Sequence, residues 1–380
     1  MVNGKLGTNK TYFRNLDGFR AIAATFVIIG HCQTWIHEHS PTPILVFDPW
    51  GHKLAGFGVD FFFVLSGFLI SFILFTELEK TNAISIKRFY QRRILRLWPL
   101  YFVFGITTIV FGTFLSHLIG FEGAPQSRET MLGNLLYLCT FTTNFQTMNH
   151  TANDYSAFFL GHFWSLGVEE QFYLIFAPLV LFCKNRIQIL LLSFIAIGYF
   201  LTAWHFNFYD DYTMFTYNFT LNRFFHFGLG ALLSYWFVKK KFRTIYQLSI
   251  FENYALQLCF LIPMWIFMFG RYYQFKPDLD RIVQGLISAG LILTSISRFS
   301  ILPFELEPLK YLGKISFGIY IFHLVSMRVV AHFLQSMSIS VDNFYFILLF
   351  PILTFILSVF FASLSYRFLE SPFLKLKSKL

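Results

Sequence analysis

The sequence predicts an all-α, polytopic integral membrane protein of about ten transmembrane helices with both termini in the cytoplasm. Three observations carry that expectation. Hydrophobic residues make up 56% of the 380 and charged residues only 13%, too little charge to cover the surface of a soluble domain. Apolar runs of about 20 residues, the length that crosses a bilayer, recur along the whole chain, and many lack the polar stripe of a soluble surface helix. The basic residues are also unevenly placed. With ten spans and a cytoplasmic N-terminus, 22 of the 30 lysines and arginines fall in the inner segments and 5 in the outer ones, the bias expected of a multi-pass protein.

The spans are expected near residues 17–36, 53–76, 98–119, 162–183, 187–204, 219–238, 249–270, 280–298, 311–333 and 344–366. Residues 1–15 are polar and basic, and no small-residue cleavage site follows the first apolar run, so that run reads as a retained helix and not a signal peptide. The stretch 131–147 is apolar but short and rich in Thr and Asn, which fits a re-entrant or interfacial piece. Counting it as a span would invert every later loop and erase the charge bias. The domain expectation is a cytoplasmic segment 1–16, a membrane domain 17–370 and a basic cytoplasmic tail 371–380, with no soluble domain. The longest loop, about 120–161, lies outside. The net charge of +10 is then a topology signal, with no need for nucleic acid. Cys32, Cys139, Cys183 and Cys259 show no disulfide or metal spacing and are expected as buried small residues.

Ionisable residues inside spans are costly and mark function. The first helix carries Asp17, Arg20 and His31. Eleven residues of α-helix make three turns plus about 20°, so Arg20 and His31 share a face about 16 Å apart along the axis. Asp60, about two turns into the second span, is expected near His31 in depth, where a carboxylate fixes an imidazole tautomer. A structural pairing of Asp60 with a lysine such as Lys53 is the alternative. In Ile86–Leu97 the apolar residues fall at helical spacing and Arg88, Arg92, Arg93 and Arg96 gather on the other side. That pattern is an amphipathic helix on the cytoplasmic face, either for anionic lipid or for a phosphorylated donor. The fourth span opens with Trp164 and adjacent Glu169 and Glu170, one expected inside the bundle and the other at the interface. Trp164 suits the interfacial belt or a platform for a sugar ring. His323 is expected at a depth similar to His31, either as a substrate contact or as a core histidine. No nucleotide-binding glycine loop, zinc spacing or Gly-x-Ser-x-Gly elbow is present.

Together these residues resemble the acyltransferase-3 family of ten-span membrane acyltransferases, which includes O-acetyltransferases of bacterial surface polysaccharides. The resemblance rests on five motifs in order: Arg20 with His31; the run Gly58–Phe68; Arg93-x-x-Arg96 followed by Leu97-Trp98-Pro99; Trp164 to Glu169; and Tyr366-Arg367-x-x-Glu370-x-Pro372. The chain departs from the family pattern at His226, where an acidic residue is expected. It resembles the stand-alone form, without the extracytoplasmic hydrolase-like domain.

The resemblance implies an O-acyltransferase of the cytoplasmic (inner) membrane that takes an acyl group, most often acetyl, from cytoplasmic acyl-CoA. It implies a glycan or lipid-linked sugar hydroxyl outside as acceptor, and no permanently bound cofactor or metal. Arg20, Arg93 and Arg96 are the expected donor-binding residues. His31, oriented by Asp60 or Glu169, is the expected base or acyl carrier, and Trp164 and His323 are the expected acceptor contacts. The competing class is a proton-coupled transporter or flippase of a glycan, which also uses buried charge but has no need of the Arg93-x-x-Arg96 phosphate site.

Overall fold

A computed structural model describes residues 13, 15–40, 48–118, 127–149, 159–208, 214–239, 250–269, 277–295, 301 and 304–377. The expected basic positions Lys5, Lys10 and Arg14 lie outside the described residues, as do most of the loop 120–161 and the last three tail residues. Among the described residues every regular element is helical. In chain order they are α1 (Leu16–His39), α2 (Asp48–Thr81), α3 (Ile86–Leu118), α4 (Arg128–Cys139), α5 (Thr143–Asn149), α6 (Phe163–Phe182) and α7 (Ile187–Phe208). They continue with α8 (Met214–Asn218), α9 (Phe224–Val238), α10 (Ile250–Phe269), α11 (Pro277–Ser295), α12 (Glu307–Lys314), α13 (Ser316–Ser336), α14 (Phe344–Ser365) and α15 (Ser371–Lys377).

Among the described residues, seven helical stretches are long and apolar enough to cross a membrane: Leu16–His39, Gly51–Thr81, Ile86–Gly112, Phe163–Phe182, Lys184–His205, Ser316–Ser336 and Phe344–Lys377. The remaining expected spans fall on α9, α10 and α11, which do not meet both criteria over the described residues. Large apolar side chains such as Phe114, Phe182, Phe200, Trp265 and Phe360 are exposed on the outside of the bundle, as a lipid-facing surface requires.

α2 is the hub. It packs against α1, α9, α11 and α6, and its Phe57, Phe61, Phe63 and Phe68 are buried. The α2–α9 seam is close because α9 offers glycine: a Cβ on Gly230 would fall 1.9 Å from Val64 O, so only a hydrogen fits there. Small residues that let backbones approach are the usual means of joining membrane helices.

One element differs from expectation, and the short stretch expected not to be a span is indeed none of the candidate spans among the described residues. The amphipathic stretch 86–97 and the third span form one continuous helix, α3, running through Pro99. The stretch 131–147 breaks into α4 and α5 around Phe141, whose φ is 57°. Its polar residues turn inward. Thr143 donates to Phe163 O (2.9 Å), Asn144 donates to Asn218 O (3.2 Å), and Gln171 donates to Phe141 O (2.6 Å). Irregular backbone is tolerated where protein satisfies its polar groups, so the Thr and Asn content reflects burial inside the bundle. Of the cysteines, only Cys32 is buried; Cys139 and Cys259 are exposed and Cys183 is intermediate.

Candidate active site

A cavity of about 1010 Å3 runs along one face of α2, bordered by Val59, Phe62, Phe63, Ser66, Leu69, Ile70, Ile73 and Lys80. The steps of three and four keep these on one stripe, and from Lys80 to Val59 the stripe is about 32 Å long. At one end the lining is cationic: Lys80, Arg88, Arg92, Arg93, Arg96, Arg20 and Lys377. Glu169 is the single carboxylate among the described lining residues.

The donor-binding residues expected from sequence come together here. Arg93 and Arg96 on α3 face Arg20 on α1 across the cavity. Arg20 is held by Asp17 at 2.6 Å. Arg93 lies over the rings of Phe89 and Tyr173, each 5.9 Å away, and its Nε is buried without a hydrogen-bond partner. The chain ending joins this side: Tyr366–Glu370 forms a π-helical turn, and Tyr366 and Glu370 border an adjoining cavity of about 380 Å3 with Arg20 and Arg96. π-turns of this kind recur at functional sites.

Midway, Glu169 accepts hydrogen bonds from the hydroxyls of Ser66 and Tyr173. Glu170, expected on the other side of its helix, is buried, with Trp98 Nε1 donating to it at 3.3 Å. The expectation that one carboxylate reaches the interface is corrected: α6 is surrounded by protein at this level, so both neighbours face inward.

The far end is apolar except for Ser165 and Tyr320. Their hydroxyls are 2.6 Å apart, and each lies 3.1 Å from His162 O. Behind this wall stand three histidines. His31 Nδ1 is 2.7 Å from His323 Nε2, with the rings 5.0 Å apart and 14° from parallel. His162 meets His323 edge-on at 4.9 Å. The cavity stops short of them. The described lining reaches Tyr320, and His323, the partner of His31, lies one helical turn further along α13.

The orientation of His31 is the main correction to the site. Neither Asp60 nor Glu169 meets its Nδ1; His323 does. Asp60 is instead bound by Arg223 at 2.7 Å and flanked by His226 Nε2 at 3.4 Å. Arg223 is fully buried, sandwiched over Tyr217 (4.5 Å) and Trp164 (5.1 Å). Trp164 therefore packs between Arg223, Phe63 and Tyr217 at 8% exposure, and offers no open face to a sugar. His323, expected as an acceptor contact, is 0% exposed. Arg281 is buried in α11 with its guanidinium 4.9 Å from the Tyr217 ring.

The Asp60–Arg223 pair is a structural joint between α2 and the turn before α9. Breaking a buried pair costs about 3–5 kcal/mol because the survivor is left uncompensated. Arg223→Met is expected to lower the melting temperature of the solubilised protein sharply, and Asp60→Asn in the same chain to recover part of the loss. A wild-type melting temperature for Arg223→Met would remove Asp60 from this structural role.

Ser66, Ser165, Tyr173, Tyr320 and His162 were not singled out from sequence. Hydroxyls in apolar helices carry no spacing signal, and the Ser165–Tyr320 contact joins residues 155 apart. Among the described residues no three His, Cys, Asp or Glu side chains are arranged to hold a metal ion.

A family model described as "Acyltransferase domain" matches residues 13–363. The chain is 29% identical over 392 residues to "Peptidoglycan O-acetyltransferase OatA" of Listeria monocytogenes, covering 97% of this chain and 56% of that protein. It is 26% identical over 388 residues to "O-acetyltransferase OatA" of Staphylococcus aureus, covering 96% of this chain and 57% of that one. The chain thus spans less than three fifths of these curated relatives. No solved structure matches.

Proposed function

This chain belongs to the acyltransferase-domain family, and from that premise we propose that it transfers an acyl group, acetyl in the first instance, from cytoplasmic acyl-CoA to a hydroxyl of a cell-envelope glycan or glycolipid. The observation that carries this reading is one cavity that joins a cluster of cations to a wall at Ser165 and Tyr320, one helical turn along α13 from His323, the partner of His31. CoA phosphates are too charged to enter lipid, but guanidinium forks hold phosphate oxygens well. With the phosphates at Arg93 and Arg96, the pantetheine arm lies along the apolar α2 stripe and the thioester reaches Ser165 and Tyr320. The positive-inside rule puts the basic end in the cytoplasm, in keeping with residence in the cytoplasmic membrane.

In the transfer, His31 accepts the proton of the acceptor hydroxyl as its oxygen bonds to the thioester carbon, the C–S bond breaks, and the thiolate takes that proton. Alternatively His31 carries the acyl group between donor and acceptor. The acceptor class follows that of the relatives, a peptidoglycan sugar being one candidate.

The test is ligand-induced stabilisation. Acetyl-CoA at 100 times its Kd is expected to stabilise the solubilised protein by about 2.7 kcal/mol, read as a rise in melting temperature. Absence of any shift at millimolar acetyl-CoA overturns the donor assignment and favours a transporter.

A further inference from the structure

Resting on the reading of His31 as the reacting group, we infer that His323 is a positioning residue that fixes the tautomer of His31 and so makes its Nε2 the reacting atom. The chain of reasoning starts at a backbone carbonyl, which can only accept. Tyr320 O lies 2.5 Å from His323 Nδ1, so that nitrogen carries the hydrogen. A neutral imidazole has one N–H, and His323 Nε2 therefore presents a lone pair. His31 Nδ1 faces that lone pair at 2.7 Å and must be the donor. The single hydrogen of neutral His31 sits on Nδ1, and Nε2 is left with its lone pair.

The arrangement is rigid where it needs to be. His323 is fully buried and one helical turn from the carbonyl that anchors it. His162 donates from its own Nε2 to Ile321 O at 3.1 Å and packs edge-on against His323, so it competes for neither His323 nitrogen. The orienting role that a carboxylate fills in Ser-His-Asp sites is filled here by an imidazole tied to the main chain. When Nε2 takes the hydroxyl proton, His31 Nδ1–H keeps its bond to His323 Nε2, so no group has to turn. The proton then leaves with the CoA thiolate, and His31 returns to the same tautomer.

The test uses the full chain in detergent or nanodiscs with 15N-labelled histidine. NMR of the wild type is expected to show the Nδ1–H tautomer for His31, assigned by its loss in His31→Gln. Transfer is then compared between His323→Gln and His323→Asn. Glutamine places Oε1 near the former Nε2 and can accept from His31, whereas asparagine is too short. Glutamine is expected to retain activity within about tenfold, while asparagine loses about 100-fold in kcat, with the donor KM unchanged in both. An Nε2–H tautomer in the wild type overturns the inference, and so does a folded His323→Gln as inactive as His323→Asn. The NMR signature is independent of turnover. A wild type with the Nδ1–H tautomer but no acyl transfer would overturn the proposed function and leave the tautomer assignment standing.

Discussion

His31→Ala is expected to abolish acyl transfer while the bundle stays assembled and still binds donor. The side chain is half-buried and makes one side-chain hydrogen bond, to His323. Losing it costs stability on the order of 1 kcal/mol, small against the packing of α1 on α2 and its other neighbours. The chemical cost is larger. A positioned general base contributes about 10²- to 10⁴-fold, and if His31 carries the acyl group the loss is complete. Donor affinity is expected to hold, because Arg20 and His31 are about 16 Å apart on the same helix and the arginines bind independently of the histidines. The measurement is transfer of labelled acetyl to membrane glycan, beside the acetyl-CoA thermal shift in the same preparation. Wild-type transfer in His31→Ala would sink the proposed role. A variant that loses both transfer and the shift would place His31 in binding.

The positions of the helices are legible in the sequence; the direction each side chain faces is not. Length and hydropathy place every expected span on helical segments, and helical spacing alone put Arg93 and Arg96 on one face. What failed was pairing. Asp60 and His31 both sit well inside their helices, yet depth does not say which neighbour a side chain meets. Arg223, 163 residues away, takes Asp60, because α9 packs tightly on α2 through Gly230 and brings the preceding turn with it. His226, the position that departs from the family pattern, then completes the Asp60 cradle. The Glu169–Glu170 error has the same origin. A helix with one lipid-facing side can bury only one of two adjacent residues, but the first half of α6 is buried nearly all round. His323 reads from sequence as either an acceptor contact or a core histidine, and its burial favours the core. Its anchoring carbonyl, Tyr320 O, is invisible without coordinates.

Replacing Arg93 and Arg96 together with alanine is expected to weaken acetyl-CoA binding by about 1000-fold. Hydrogen bonds to ionised groups are worth about 1.5–3 kcal/mol each, so two arginines supply about 3–6 kcal/mol, or 10²- to 10⁴-fold in Kd. Arg93 has a buried Nε with no partner and a guanidinium steadied by two rings, which is a preorganised donor with unspent capacity. Lysine at both positions is expected to recover only part of the affinity, since a point charge cannot make the paired fork. The sharper comparison is between donors. Acetyl-pantetheine carries the same thioester without the nucleotide phosphates, so wild type and double variant should use it equally well, while only the wild type gains from the phosphates of acetyl-CoA. Added salt should erase part of that gain, because the mouth residues Arg88 and Lys80 are exposed and screened. If the arginine helix serves anionic lipid alone, the double variant will bind acetyl-CoA as tightly as wild type, and the donor site must lie elsewhere.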